Sequence, residues 1–134
     1  MAAAAKTVAE KLVIKPGHTV WLSHPDRVGL LGPLPAGVEV GTRLGDADVA
    51  VLFADDAASI RAVLTEHRAD VATRPVLWVV YPKANRTDVN RDSLWPILAG
   101  FGVRPVSQVA VDATWSALRF RAYKEGEAPF APGS

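Results

Sequence analysis

Polar side chains gather at three places in this 134-residue sequence, each directly after an apolar run of strand length. The carboxyl ends of parallel strands open onto one rim of a sheet, and open α/β folds bind their ligands there. We therefore expect the three groups to converge on one ligand-binding rim. Its members are Ser23, His24 and Asp26 after the first run, Asp55 and Asp56 after the second, and Tyr81, Pro82 and Lys83 after the third.

The densest polar stretch follows the third run. Lys83, Arg86 and Arg91 are potential anion binders there, and the helix N-terminus expected just beyond them also favours negative charge. A phosphate or carboxylate ligand would suit this loop. In the competing interpretation Asp88 and Asp92 pair with the two arginines, fixing the loop and capping the helix. The candidate ligand-binding residues are then Ser23, His24, Asp26, Asp55, Tyr81, Lys83, Arg86, Asp88 and Arg91.

Catalysis at this rim is an alternative. His24 would act as a general base beside Asp26 or Asp55, together with Lys83. The Ser23-His24 neighbours do not predict a nucleophile–base pair, because adjacent side chains on an extended chain point in opposite directions. The Gly-x-Ser-x-Gly motif of a nucleophile elbow is absent as well.

Metal and thiol chemistry find little support. The chain has no cysteine, which excludes disulfides, thiolate zinc sites and iron–sulfur clusters, and no His-x-x-x-His or His-x-His spacing. Asp55 and Asp56 with Asp88 are the one carboxylate set that suits Mg²⁺, but two aspartates before a helix are ordinarily a cap. We expect no metal and no cofactor.

The bulk properties argue against two classes of partner. The 15 basic and 14 acidic residues give a formal net charge of +1, so there is no general electrostatic attraction to nucleic acid. No apolar run approaches the roughly 18 residues that a membrane span needs, and the N-terminus lacks the layout of a secretory signal. The expected location is the cytoplasm.

The apolar pattern predicts a single α/β domain over residues 17–125, preceded by an Ala-rich, loosely docked helix or arm at 1–16 and followed by a disordered tail at 126–134. Predicted helical segments cover 25–32, about 56–69 and about 92–101, and 41–47 is a predicted loop. The predicted strands are 19–23, 38–40, 48–53 and 76–81, followed by a hairpin of 106–111 with 117–123.

This alternation closed by an antiparallel hairpin resembles the class I methyltransferase sheet with one strand missing. The resemblance covers roughly residues 17–123 and implies a three-layer, Rossmann-like α/β fold whose mostly parallel six-stranded sheet has the order 2-1-3-4-6-5. The family's glycine-rich first turn is not present, because Ser23–Arg27 contains a proline and no glycine. Glu39, the nearest candidate for the family's ribose-binding acid, falls within the second strand.

Three stretches carry most of a closer resemblance, to which Ile14–Gly17 and Leu31–Pro35 also contribute: Tyr81-Pro82-Lys83, Thr87–Asp92 and the hairpin sequence Val111–Phe120. They are similar to the core of a family of small bacterial proteins classed only as a domain of unknown function. That resemblance implies no activity. Within the hairpin, Trp115 is interpreted as a structural anchor, with an exposed aromatic at a partner surface as the alternative.

The sequence thus predicts a non-catalytic Rossmann-like module that binds a protein partner or a small anionic ligand. Two alternatives remain open: an enzyme using Lys83 and His24, and an S-adenosylmethionine-dependent methyltransferase with an unusual first loop. A homodimer is a further possibility, paired through the edge strand of the final hairpin or through Val38–Val40.

Overall fold

Six strands form one sheet in the order β2-β1-β3-β4-β6-β5, which confirms the predicted order. The computed structural model describes residues 7–73, 76–83, 87–124 and 126. The strands are β1 (Thr19–Leu22), β2 (Glu39–Val40), β3 (Val49–Phe53), β4 (Val76–Pro82), β5 (Val103–Ala110) and β6 (Trp115–Ala122). The helices are α1 (Val8–Lys11), α2 (Ala57–Glu66), α3 (Arg68–Val71) and α4 (Arg91–Ala99), with 3-10 helices at Pro25–Leu31 and Leu44–Asp46.

The two central strands explain the continuous apolar runs. Every residue of β3 and β4 is buried, and the strands pair in parallel from Val49 opposite Val76 to Phe53 opposite Val80. Parallel strands covered on both faces need apolar side chains at every position, not at alternate ones. β6 then pairs antiparallel with β4 and β5, so the hairpin closes a mixed sheet as expected.

The layers on the two faces are unequal. One face packs against α2, α3 and α4 through residues such as Ile60, Leu64, Leu94 and Leu98. The other face is covered by the N-terminal segment and the 3-10 helix that ends at Leu31. The fold is three-layered and Rossmann-like, but its second outer layer is built from short segments and not from full helices.

The N-terminal segment is part of the core, and the expectation of a loosely docked helix is wrong for the residues described. Ala9, Leu12 and Ile14 are buried against the sheet. The indole Nε1 of Trp78 donates a buried hydrogen bond of 2.8 Å to the carbonyl oxygen of Leu12. Thr7 and Glu10 form a capping box that stabilises the first turn of α1.

Several boundaries differ from prediction. The helix predicted to reach Ala69 is divided at His67, whose backbone (φ −109°, ψ 22°) separates α2 from α3. The predicted loop at 41–47 contains the 3-10 turn Leu44–Asp46. β5 begins at Val103, earlier than expected, because the pairing with β6 shifts register between Pro105 and Ser107 and so accommodates the proline at the sheet edge.

Partly exposed strands of different length form the two edges of the sheet. β2 has two residues, and Val106 on β5 is 50% exposed. The proline and the register shift of β5 are features that hinder the addition of another strand. The predicted homodimer through either edge stays a prediction. The predicted tail lies outside the described residues except for Gly126, and no helix in the described ranges is long and apolar enough to cross a membrane.

Truncation of Leu12 tests whether the N-terminal segment belongs to the core. Leu12→Ala removes a fully buried side chain, and we expect a loss of about 2–5 kcal/mol in the free energy of unfolding, measured in urea. The half-exposed Val106→Ala is the matched control, with an expected change of about 0.5 kcal/mol or less. Equal effects of the two substitutions would contradict this packing.

Candidate functional site

An ion pair bridges the crevice between the carboxyl ends of β1 and β3. Arg27, in the 3-10 helix after β1, donates two hydrogen bonds of 2.8 Å to the two carboxylate oxygens of Asp55, which follows β3. The side chains are 26% and 42% exposed. Such a fork-to-fork arrangement fixes geometry as well as charge. Asp55 follows β3 at the carboxyl end of the strand, and Arg27 was not among the predicted site residues.

Aromatic rings hold the arginine in place. The Arg27 guanidinium carbon lies 5.5 Å from the centre of the Phe53 ring and 5.7 Å from that of Trp115. Because Trp115 begins β6, the side chain of Arg27 joins the ends of three strands, β1, β3 and β6. This contact gives Trp115 a structural role, in agreement with the anchor interpretation. Asp112 supports it by accepting the backbone N–H groups of Thr114 and Trp115.

The ion pair shifts the pKa values of both Asp55 and Arg27. Hydrogen bonding from Arg27 holds the pKa of Asp55 below its usual value, against the opposing effect of partial burial. The carboxylate in turn raises the pKa of Arg27 above its usual value, mainly through the same hydrogen bonds. Asp55 is therefore held as an anion with both oxygens hydrogen-bonded to Arg27, and no hydrogen bond joins it to His24, the predicted general base, in the described residues.

Ser23 and His24 make a direct contact, and the sequence argument that separated them is wrong. Ser23 Oγ lies 2.8 Å from His24 Nδ1, since the backbone at His24 (φ −131°, ψ 87°) is not regular strand. Ser23 Oγ also accepts the backbone N–H of Phe53 at 2.9 Å, extending the pairing of β1 with β3. His24 packs edge-on to Phe53, and in the described residues it has no hydrogen bond to a carboxylate.

Two aspartates of the rim cap a helix. Asp56 Oδ1 accepts the N–H of Ser59, and Asp88 Oδ1 accepts the N–H of Ala57, so both stabilise the N-terminus of α2. Asp88 thus ties the loop after β4 to α2, and it forms no ion pair with an arginine of the described residues. No group of three metal-ligating side chains occurs in the part of the chain that the structure describes. Asp26 is exposed to solvent on the 3-10 helix.

A second cluster surrounds Lys83. A cavity of about 260 Å³ at the carboxyl end of β4 is lined by Tyr81, Pro82, Lys83, Asn90, Arg91, Gln108 and Ser116. Three predicted residues, Tyr81, Lys83 and Arg91, therefore meet here, away from Ser23 and His24. Arg91 also has a long, exposed contact of 3.9 Å with Asp92, which is part of the pairing that the competing interpretation expected. Arg86 lies outside the described residues.

Gln108 and Ser116 are members of this cavity that the sequence analysis missed. Ser116 lies opposite Tyr81 in the β4–β6 ladder, and Gln108 comes from β5. Gln108 Nε2 donates to the hydroxyl of Tyr81 at 2.8 Å and to that of Ser116 at 3.1 Å. The alternation of side chains along the predicted hairpin could have indicated which residues face this cavity. That inference requires the exact register of β6 on β4.

Two larger cavities hold few of the predicted residues. A cleft of about 580 Å³ at the ends of β1 and β2 includes Ser23 and Pro25 together with Val40–Thr42 and His67. A groove of about 790 Å³ between α1 and Pro33–Pro35 contains none of the candidate ligand-binding residues. The predicted single rim is thus two separate sites: the closed Arg27–Asp55 crevice and the open cavity at Lys83.

Comparisons with known proteins identify the fold. No family model matches the chain, and neither does any curated protein sequence. Among solved structures, a protein of the NADB-Rossmann superfamily from Streptococcus agalactiae superposes with a TM-score of 0.57 at 11% identity, over 91% of this chain and 70% of that one. The B. subtilis m1A22 tRNA methyltransferase TrmK gives 0.55 at 12% identity, over 87% and 64%.

A third similar structure is the O-methyltransferase NcsB1 of neocarzinostatin biosynthesis, in complex with S-adenosylmethionine and a naphthoic acid. Its TM-score is 0.52 at 16% identity, with 80% of this chain aligned to 49% of that protein. This chain therefore spans about half the length of that enzyme. At such identities the similarity establishes a Rossmann-like, methyltransferase-type α/β fold.

The Arg27–Asp55 pair predicts a specific pH dependence of stability. Because the pKa of Asp55 is lower in the folded chain, its contribution is present above the unfolded value of about 4 and is lost as the pH falls through the folded value. We expect Asp55→Asn to cost about 1 kcal/mol in urea unfolding at pH 7, allowing for partial exposure, and progressively less toward pH 3.

Asp46→Asn is the control, since the Arg43–Asp46 pair is exposed and its closest approach is 3.8 Å. Its expected effect is below about 0.5 kcal/mol at every pH. A constant difference between wild type and Asp55→Asn from pH 7 to pH 3 would mean that the carboxylate charge is not what stabilises this crevice.

Proposed function

We propose that the chain is a non-catalytic, Rossmann-like binding module of the cytoplasm, and that it binds a small anionic ligand in the cavity at Lys83. The observation that carries the proposal is the charge of that cavity. Lys83 and Arg91 both line it, and none of its described lining residues is a carboxylate. In the described chain Lys83 Nζ makes no ion pair or hydrogen bond, although the side chain is half-buried. A ligand anion would supply the missing partner.

The closed crevice supports the non-catalytic part of the proposal. The fold type implies S-adenosylmethionine. Such a cofactor would need a glycine-rich turn after β1 and an acidic residue at the end of β2. The loop after β1 leads through Pro25 into a 3-10 helix whose Arg27 is locked on Asp55 across the crevice. A turn that admits a cofactor needs backbone approach and accessible N–H groups, which glycines provide.

The end of β2 also lacks a suitable acid. The cleft there is lined by Val40, Gly41 and Thr42, whereas Glu39 is not among its lining residues. The residues present do not fit S-adenosylmethionine. The methyltransferase alternative is supported by fold alone, through neighbours such as TrmK and NcsB1 that share 12% and 16% of their aligned residues with this chain.

The alternative of an enzyme using Lys83 with His24 loses its geometric basis. Lys83 lines the cavity beside Gln108, but His24 contacts Ser23 and Phe53 and is not part of that lining. General acid–base catalysis requires both groups within hydrogen-bond reach of one substrate. The separate placement of these two side chains favours binding over catalysis.

Ligand-dependent thermal stability separates the module from a methyltransferase. We expect no change in Tm with S-adenosylmethionine or S-adenosylhomocysteine at about 1 mM. A ligand with a Kd of about 10 μM would stabilise the folded state by about 2.7 kcal/mol at that concentration, which raises the Tm of a domain of this size by roughly 10 °C. A saturable increase with either compound would overturn the proposed exclusion of the cofactor.

Anion binding at Lys83 has its own test. Titration of ¹⁵N-labelled protein with small carboxylates and inorganic phosphate should shift amide signals around Tyr81–Lys83 and the start of α4. Lys83→Gln should weaken this binding by about tenfold or more, equivalent to about 1.4 kcal/mol. Lys15→Gln removes the same charge from an exposed site on the other face and should change nothing. Equal binding by the two variants would contradict the proposed site.

A further inference from the structure

The cavity at Lys83 rests on a polar layer inside an otherwise apolar face of the sheet. On the side covered by α4, Val79 and Leu118 are cross-strand neighbours in the core. The next pair on that face is Tyr81 opposite Ser116, each only 4% exposed. Buried hydroxyls need hydrogen-bond partners, so the direction of each bond in this layer can be worked out.

The direction of the bonds begins at Ser116. Its hydroxyl donates to the carbonyl oxygen of Val109 at 3.2 Å, which uses its one proton. Ser116 must therefore accept its second bond, from Gln108, and the amide nitrogen of Gln108 must face inward. The other hydrogen of that nitrogen is donated to the hydroxyl oxygen of Tyr81 at 2.8 Å.

Two groups remain without a partner in the described chain once these bonds are assigned. Tyr81 accepts from Gln108, so its own O–H proton is available, and a buried O–H without an acceptor is costly. The amide nitrogen of Gln108 is fully engaged, whereas its carbonyl oxygen Oε1, on a residue that is exposed to solvent, is open to a ligand hydrogen in place of water. Both residues line the cavity with Lys83 and Arg91. Tyr81, Lys83, Arg91 and Gln108 thus offer the cavity one neutral donor, two cationic donors and one neutral acceptor, beside Asn90, whose side-chain oxygen accepts the N–H of Ser93.

We propose that the ligand is a small 2-hydroxycarboxylate, an inference that rests on the proposed binding function and names its ligand class. The carboxylate accepts from Lys83, Arg91 and the Tyr81 O–H, while the hydroxyl on the adjacent carbon donates to Gln108 Oε1. The cavity of about 260 Å³ has room for the carboxylate and the adjacent hydroxyl of a compact acid, and its open side faces solvent.

The same four groups discriminate among other small anions. Inorganic phosphate keeps at least one O–H at neutral pH and could donate it to Gln108 Oε1, so phosphate is the competing ligand that the titrations must distinguish. A 2-amino acid would place an ammonium group beside Lys83 and Arg91, where like charges repel. A simple carboxylate such as acetate satisfies the donors but leaves Gln108 Oε1 without a hydrogen.

Titrations with glycolate, acetate and inorganic phosphate test the ligand class. With wild type we expect glycolate to bind at least about threefold more tightly than acetate, because one additional hydrogen bond forms. Tyr81→Phe deletes the available O–H and should weaken glycolate binding about three- to tenfold. Tyr123→Phe, which removes the hydroxyl of the other tyrosine, is the matched control and should bind like wild type.

Gln108→Leu separates the acceptor from the donors. In this variant glycolate and acetate should bind about equally tightly, and the binding of acetate should still depend on Lys83. The variant also tests the proposal independently if Tyr81→Phe does not fold. If acetate or phosphate binds as tightly as glycolate and still depends on Lys83, the ligand class is wrong and the anion site stands. If none of the three binds wild type, both the ligand class and the proposed function are overturned.

Discussion

Both faces of the β3–β4 ladder must be covered, and the whole structure depends on how a short chain meets that requirement. All the residues of these two strands are buried. On one face α2, α3 and α4 provide the cover, in the usual way for alternating strands and helices. On the other face the described residues form no helix of comparable length, and α1 together with the 3-10 helix Pro25–Leu31 provides the cover.

This solution determines the character of the first loop. The segment after β1 must pack its apolar residues, ending in the buried Leu31, against the second face of the sheet. Phe53 and Trp115 flank its arginine, and Asp55 fixes the guanidinium group. A glycine-rich turn would leave that face uncovered. A first loop without a glycine-rich turn and the cover of this face therefore belong to one packing arrangement.

Sequence patterns predicted the sheet well because its signals are local. Continuous apolar runs marked β3 and β4, and element order alone supported the strand order later observed. The docking of Leu12 was not visible, because an Ala-rich segment with few large residues gives little sign of a carbonyl bonded to Trp78 across 66 positions of sequence. The division of α2 and α3 at His67 also depends on tertiary contacts, since its ring packs edge-on to Trp21 at 4.6 Å.

Sequence patterns indicated which residues lie near the candidate site, but not how those residues are arranged. Placing Ser23, Asp55 and Tyr81 at strand ends follows from the apolar runs that precede them. Which of these share a cavity depends on side-chain direction and on the exact register of the hairpin. Tyr81 and Lys83 lie two residues apart and so lean toward one face, where Gln108 and Ser116 arrive from strands much later in the chain.

Arg27 and Lys83 both follow the carboxyl ends of strands, but their environments are opposite. The contrast separates a residue that stabilises the fold from one that we propose binds a ligand. Arg27 has a bidentate carboxylate and two aromatic faces, so its charge is compensated within the chain. Lys83 is half-buried in a cavity whose described lining adds a second cation and no carboxylate. Partial burial of an uncompensated ammonium group carries a desolvation cost, and an anion from solution would offset it. In our proposal Arg27 closes the crevice between β1 and β3, whereas Lys83 is available to an anion in the cavity at the end of β4.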